Sequence, residues 1–183
     1  MTLLHTPVCD FGRQAPDFNL LGVDGTLWTR DECAAKKGLL VMFICNHCPY
    51  VKAIQQRLLV DMAVLQAQGV GVVAIMSNDP NDYPADSFEN MQIMAKEKAY
   101  NFPYLIDTTQ QVAKDYGAIC TPDFFGYNSQ MQLQYRGRLD ETGMRLNDGD
   151  MKRDLLEAML LVAKTGKGPA EQIPSMGCSI KWI

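Results

Sequence analysis

Residues 39–44, Leu39-Leu40-Val41-Met42-Phe43-Ile44, are an unbroken apolar run of strand length. Such a run, with β-branched and aromatic side chains in it, suits a strand buried on both faces. From residue 51 the period changes, and Val51, Ile54, Leu58, Leu59, Met62 and Leu65 recur at helical spacing. Pro49 is tolerated in a first helical turn because its missing N–H has no partner there, and Gly69 stands where the helix should stop. Residues 70–76 are a second apolar run. Strand, helix and strand in this order predict a parallel pair with a right-handed crossover.

On either side of this unit the pattern is more broken. Residues 15–29, with Phe18 and Leu20 alternating, Asp24-Gly25 as a turn pair, and Leu27 and Trp28 beyond it, predict a β-hairpin. Residues 30–37 read as a short helix or loop, and 77–84 as a loop at the carboxyl end of a strand, where open α/β sheets bind ligands. Asp86, with Glu89 three positions on, fits a cap for a helix burying Phe88, Met91, Met94 and Ala95. A strand at 102–106 and a helix at 108–116 ended by Gly117 follow, with Val112 and Tyr116 on one helical face. Residues 124–127 and 131–135 form an antiparallel hairpin about Asn128-Ser129 at the end of the sheet. Asp148 is placed to cap a last helix carrying Met151, Leu155, Leu156, Met159, Leu160 and Ala163, stopped at Gly166. The tail 167–183 holds Gly177-Cys178 and packs Trp182.

Composition narrows the setting. With 183 residues, 47% hydrophobic, the chain suits one domain, 1–183. A net charge of −4, with no basic run longer than Lys36-Lys37, argues against nucleic acid or an anionic membrane as partner. The opening residues have no signal-peptide pattern and no segment is apolar enough to span a bilayer, so a cytoplasmic setting is expected. Six cysteines, thinly spread, then read as reactive or buried thiols and not as a disulfide framework.

The chemistry-bearing stretch is Cys45-Asn46-His47-Cys48, between the buried strand and its helix. Unpaired N–H groups and the helix macrodipole favour a negative sulfur there, and such Cys-x-x-Cys thiols can fall to a pKa of roughly 3.5 to 7.5. Cys45 is expected as the exposed nucleophile, and Cys48 as the thiol that attacks a mixed disulfide on it. His47 between them can lend partial positive charge to a thiolate. The alternatives are a pair of inert thiols or half of a zinc site. Zinc needs a second ligand pair, whereas Cys9, Cys33, Cys120 and Cys178 are isolated, so neither metal nor cofactor is expected.

These features, together with Ala15-Pro16-Asp17-Phe18, Ser77-Asn78-Asp79, Cys120-Thr121-Pro122-Asp123, Tyr135-Arg136-Gly137-Arg138 and Gly177-Cys178-Ser179-Ile180-Lys181-Trp182, resemble the thioredoxin-like superfamily. Within it, the chain is most similar to the cytosolic peroxiredoxin-like, AhpC/TSA-related branch. The resemblance implies an α/β thioredoxin-like fold, a central mixed sheet flanked by helices with an N-terminal β-hairpin extension. It implies a thiol-disulfide oxidoreductase cycling Cys45 and Cys48, supported by Asn46, His47, Pro49, Thr121 and Pro122. Pro122 would be a cis-proline facing the thiols, and the Thr121-Pro122 backbone would hold a partner chain as an extra strand.

The departures from the family pattern open other readings. Peroxiredoxins carry Thr-x-x-Cys-Pro; here Cys45 takes the threonine place and Cys48-Pro49 the peroxidatic one, so a thiol peroxidase with Cys48 peroxidatic and Cys45 resolving is the alternative. The family's arginine is missing near Thr121-Pro122, leaving Arg136 and Arg138 as candidate cations. The buried acid that thioredoxins place six residues before the first cysteine is here Leu39, so proton transfer falls to water or another carboxylate. Asp79 is a candidate for orienting substrate, with turn capping as the plainer role. Cys120 is a small buried hydrophobe near the site, and Cys178 either a third redox thiol or packing. A non-catalytic binding or metal-carrying module is the remaining alternative. Expected partners are a protein disulfide, a small thiol or a peroxide as substrate, and a thioredoxin or glutathione system as reductant, the protein acting as monomer or homodimer.

Overall fold

The computed structural model describes residues 2–145 and 151–183. Its strands are β1 (Leu3–His5), β2 (Asn19–Gly22), β3 (Leu27–Thr29), β4 (Leu39–Phe43), β5 (Gly71–Met76), β6 (Tyr104–Ile106), β7 (Cys120–Thr121), β8 (Asp123–Tyr127), β9 (Leu133–Tyr135) and β10 (Met176–Ser179). Its helices are α1 (Arg30–Cys33), α2 (Pro49–Ala67), α3 (Phe88–Glu97), α4 (Gln111–Tyr116) and α5 (Asp154–Thr165). A seven-stranded mixed sheet runs β3-β2-β6-β5-β4-β8-β9, and a three-stranded sheet runs β1-β10-β7.

The predicted centre is present. All five residues of β4 are fully buried, and it pairs parallel with β5 and antiparallel with β8. Its alternate side chains serve two cores: Leu40 and Met42 pack with Ile54, Leu58 and Met62 of α2 and with Leu155 and Met159 of α5, while Leu39, Val41 and Phe43 pack with Phe18, Val112 and Tyr116. Each such side chain taken out of water contributes about 1.5–3 kcal/mol, so the strand is firmly seated. Pro49 is the first residue of α2, and the chain leaves that helix through Gly69 at φ +86°.

The hairpin at 15–29 is β2 and β3, paired Asn19 to Thr29 around Asp24-Gly25, and Asp24 Oδ1 takes the Thr26 amide at 3.0 Å. The second predicted hairpin is β8 and β9, with β9 at the sheet edge.

Elsewhere the structure corrects the expectations. Asp86 does not cap α3: Ser87 does, accepting from the Asn90 amide, while Asp86 ends a 3-10 turn and faces inward, fully buried. The last helix begins at Asp154 and not near Met151. Residues 151–153 lie in neither helix nor strand and are tied to the preceding segment: the Glu141 amide donates to the Lys152 carbonyl at 3.1 Å, and the Thr142 hydroxyl meets Met151 Sδ at 2.9 Å. The expected cap Asp148 lies outside the described residues. In the tail, β10 is a strand that the apolar pattern does not announce, and Trp182 is 43% exposed instead of packed. Among the described residues, no helix is long and apolar enough to cross a membrane.

Candidate active site: a thiol cluster at the head of α2

Cys48 is the N-cap residue of α2, and the turn 45–48 joins it to the end of β4. Across the turn lies Thr121, followed by a cis Thr121-Pro122 bond, as the resemblance implied. Thr121 Oγ1 is 3.4 Å from Cys45 Sγ, and the Thr121 carbonyl oxygen is 3.2 Å from Cys48 Sγ, placed to accept its S–H in the neutral form. Both sulfurs thus face the same residue, and each shifts the ionisation of the other.

One expectation is overturned here. Cys45 is not exposed but 2% accessible, and Cys48 is fully buried. Nor is Cys45 the thiol that ionises easily. Cys48 is pulled down to about 4, foremost by the S–H of Cys45, and further by Cys178, the Val51 amide at the head of α2 and Thr121, against burial. Cys45 is pushed well up by that same contact, then by burial and by the charge of Asp86. Ionisation therefore favours Cys48 over Cys45, because the donors converge on Cys48 while a carboxylate stands near its neighbour.

That carboxylate is the residue sequence reasoning missed. Asp86 accepts from the backbone amides of Asn46 at 2.8 Å and His47 at 3.2 Å and from the Asn78 side chain at 2.8 Å, and it meets His47 Nδ1 at 2.6 Å. It therefore pins the middle of the Cys-x-x-Cys turn. His47 Nδ1 also lies 3.8 Å from Cys45 Sγ, and its ring stacks on Tyr83 at 4.6 Å. Asn46 is tied by its side chain to the Ala85 carbonyl and receives the Tyr104 hydroxyl. The carboxylate beside the thiol turn thus comes from the 3-10 turn after β5. A spacing pattern that also fits a helix cap hid it.

Of the other candidates, Cys178 belongs to the site: its Sγ is 3.1 Å from that of Cys48. Asp79 is a turn former, its Oδ1 accepting from the Asn81 amide and side chain. Cys120 is fully buried with its thiol pushed up by burial. Arg136 and Arg138 do not supply the thiols with charge. Arg136 is paired with Asp123 at 2.9 Å and lies over Phe125, and Arg138 is paired with Asp154 at 2.7 Å. The S–H donors and the helix end take that role. The place reserved for a partner strand beside Thr121 is filled on one side by the chain itself, since β10 pairs there with Cys178 opposite Thr121. A pocket of about 450 Å³ opens beyond Pro122, lined by Tyr50, Ile54, Phe124, Arg138 and Leu139 among others.

Cys45 Sγ, His47 Nδ1 and an Asp86 oxygen lie within 4.8 Å of one another, a donor set that metals accept. A tetrahedral zinc site takes four ligands, and the close His47–Asp86 contact already engages Nδ1. The geometry fits a hydrogen-bonded dyad better than a metal centre.

Comparison with known proteins agrees with this architecture. No curated protein matches the chain. The crystal structure of an uncharacterized conserved protein from Geobacillus kaustophilus is 40% identical at a TM-score of 0.94, covering 100% of this chain and 97% of that one. A hypothetical protein from Sinorhizobium meliloti is 39% identical at 0.90, covering 98% and 97%. More distantly, a thiol:disulfide interchange protein of the thioredoxin family from Chlorobium tepidum shares the fold at 16% identity and a TM-score of 0.63, covering 83% and 97%. Residues 11–140 match the AhpC/TSA family. The matched span runs from before the first hairpin to beyond β9 and takes in the thiol turn and Thr121-Pro122, so the chain belongs to the AhpC/TSA family, as a thioredoxin-like, peroxiredoxin-related protein with a thiol-based redox function.

Proposed function

We propose that the protein is a thiol-disulfide oxidoreductase in which Cys45 and Cys48 cycle between dithiol and disulfide. The observation that supports this most is the pair of thiols at the helix head, both facing Thr121, with ionisation favoured on Cys48 over Cys45. Cys45 passes its proton to Cys48 as its sulfur attacks a substrate disulfide, and one substrate thiol leaves with that proton. Cys48, again a thiolate, attacks Cys45 Sγ, closing the Cys45–Cys48 bond and expelling the second substrate thiolate. Thr121 Oγ1 and the His47–Asp86 dyad stand beside the attacking sulfur, where they orient it. Because Cys45 is buried, the reaction includes a local opening of the turn. A thioredoxin- or glutathione-type system would return the disulfide to the dithiol. In an insulin turbidity assay with a reductant, the wild type accelerates precipitation and Cys45→Ser does not; undiminished activity in that variant would overturn the assignment.

One observation favours a second reading. Cys48 occupies the peroxidatic place and is the thiol pulled down to about 4, so it is ready to be oxidised by a peroxide to a sulfenic acid that Cys45 captures with loss of water. Stopped-flow peroxide consumption separates the two, since a rate no faster than that of free cysteine removes the peroxidase.

A further inference from the structure

Cys178 is reached by neither reading, yet it is better placed than any spacing argument would suggest. It sits in β10, the middle strand of the three-stranded sheet, opposite Leu3 on one side and Thr121 on the other. The strand is held there from several directions. The Ser175 hydroxyl donates to the Pro122 carbonyl at 2.9 Å, and the amides of Ser179 and Ile180 donate to the carbonyls of Thr2 and Ile119. Gly177 makes the approach possible, because a Cβ at this position would stand 2.1 Å from the Thr121 carbonyl oxygen. The result is a third sulfur 3.1 Å from Cys48 Sγ, on a strand that occupies one flank of Thr121 where the sequence suggested a bound partner.

From this juxtaposition we propose that Cys178 is a third redox thiol, which takes Cys48 from the Cys45–Cys48 disulfide and holds the oxidised state as a Cys48–Cys178 bridge. The proposal rests on the oxidoreductase reading above and adds a second position for its disulfide. In the step, Cys178 loses its proton and its thiolate attacks Cys48 Sγ. The Cys48–Cys178 bond forms as the Cys45–Cys48 bond breaks, and Cys45 leaves as a thiolate that takes up the proton. No electrons enter or leave, because the substrate disulfide has already supplied the two-electron oxidation and departed as two thiols. Closing from contact to an S–S bond of about 2.05 Å needs a movement of about 1 Å.

Electrostatics eases the first step of the exchange. Cys178 is pushed up to about 12, first by burial and then by its contact with Cys48, and Lys181 opposes both. Once Cys48 is tied in a disulfide it bears no charge. The contribution of Cys48 then disappears, while burial still opposes ionisation of Cys178 and Lys181 still favours it. The relay returns Cys45 to the thiol form while the protein is still oxidised, and the reductant then meets a bridge between α2 and β10 instead of one within the turn.

The test is disulfide mapping. Wild type, Cys45→Ser and Cys178→Ser are treated with oxidised glutathione, quenched with acid, alkylated with a maleimide, digested without reduction and analysed by mass spectrometry. A peptide joining Cys48 to Cys178 is expected in wild type and Cys45→Ser, and in Cys45→Ser the maleimide count should fall by two thiols. If wild type yields only the Cys45–Cys48 peptide and Cys45→Ser yields no internal bridge, the third thiol is excluded while the oxidoreductase reading stands. If Cys178→Ser, in which a Cys45–Cys48 disulfide has no third thiol to move it on, never joins Cys45 to Cys48 while the other two proteins join Cys48 to Cys178, the third thiol is upheld and the reading beneath it fails. Absence of any internal bridge overturns both.

Discussion

The head of α2 and the pocket around Cys120 each bury a thiol completely, and their chemistry is opposite. Cys48 and Cys120 are both 0% exposed, yet one is drawn down to about 4 and the other is pushed far up. Around Cys120 burial is the first cause, and its close contact is the Pro122 carbonyl at 3.8 Å, an acceptor. Around Cys48 four donors converge: the thiols of Cys45 and Cys178, the first-turn amide of Val51 and the Thr121 side chain. Depth therefore does not decide whether a thiol is reactive. The number and kind of hydrogen-bond donors facing it do.

Replacing sulfurs in the two regions breaks the comparison most sharply. Cys48→Ser or Cys45→Ser should lower disulfide-reductase activity by about 100-fold or more, as expected when a residue acting as part of a unit is removed, whereas Cys120→Ala should stay within about twofold of wild type. Equal losses from all three in the insulin assay would show that the contrast is not functional. The next largest effect is on stability. Asp86→Ala leaves the amides of Asn46 and His47 and the Asn78 side chain without their acceptor. It should cost about 3–5 kcal/mol in urea unfolding, the range for breaking a buried charged network, and loosen the turn.

The pH dependence carries a sign that distinguishes the two sites. Cys48 has a folded pKa, about 4, below its unfolded value, so its contribution to stability is complete above the ordinary thiol pKa and lost as pH falls toward 4. Cys45, held protonated in the fold, contributes below that ordinary value and loses its contribution as pH rises beyond it. Together they should put a stability maximum near about pH 8.5, the unperturbed thiol value, and Cys48→Ala should flatten the rise on its acid side. In the ultraviolet thiolate absorbance, Cys45→Ala should move the Cys48 midpoint upward, because the largest contribution lowering it is gone. Smallest of all is the structural effect of Cys120→Ala, about 1 kcal/mol for a little lost packing volume, with no change in the acid-side titration.

The same contrast explains what could be read from the chain beforehand. β4, α2 and the turn between them were legible because they are contiguous: an apolar run, a proline and a helical stripe state their structure locally. The role of Asp86 was not, and that of Cys178 stayed open between redox and packing, because each acts across the fold, Asp86 on Asn46 forty positions away and Cys178 on Cys48 a hundred and thirty away. Asp86 was further disguised by Glu89 three positions later, while Ser87, one step nearer the helix, won the capping position. β1 and β10 are short strands whose apolar pattern is broken, so only their pairing with each other and with β7 defines them. The thiol pair itself was readable but its burial was not, and which of the two ionises depends on donors from β10 and from α2 and on a carboxylate from the turn before α3.

The bare backbone at Gly177 leaves a clearance about one hydrogen atom wide against Thr121. Widening that gap by a single methyl group would lift the strand and carry the third sulfur with it, without touching any sulfur-bearing residue. A relative with alanine there could keep all its cysteines and still have only two that speak to each other.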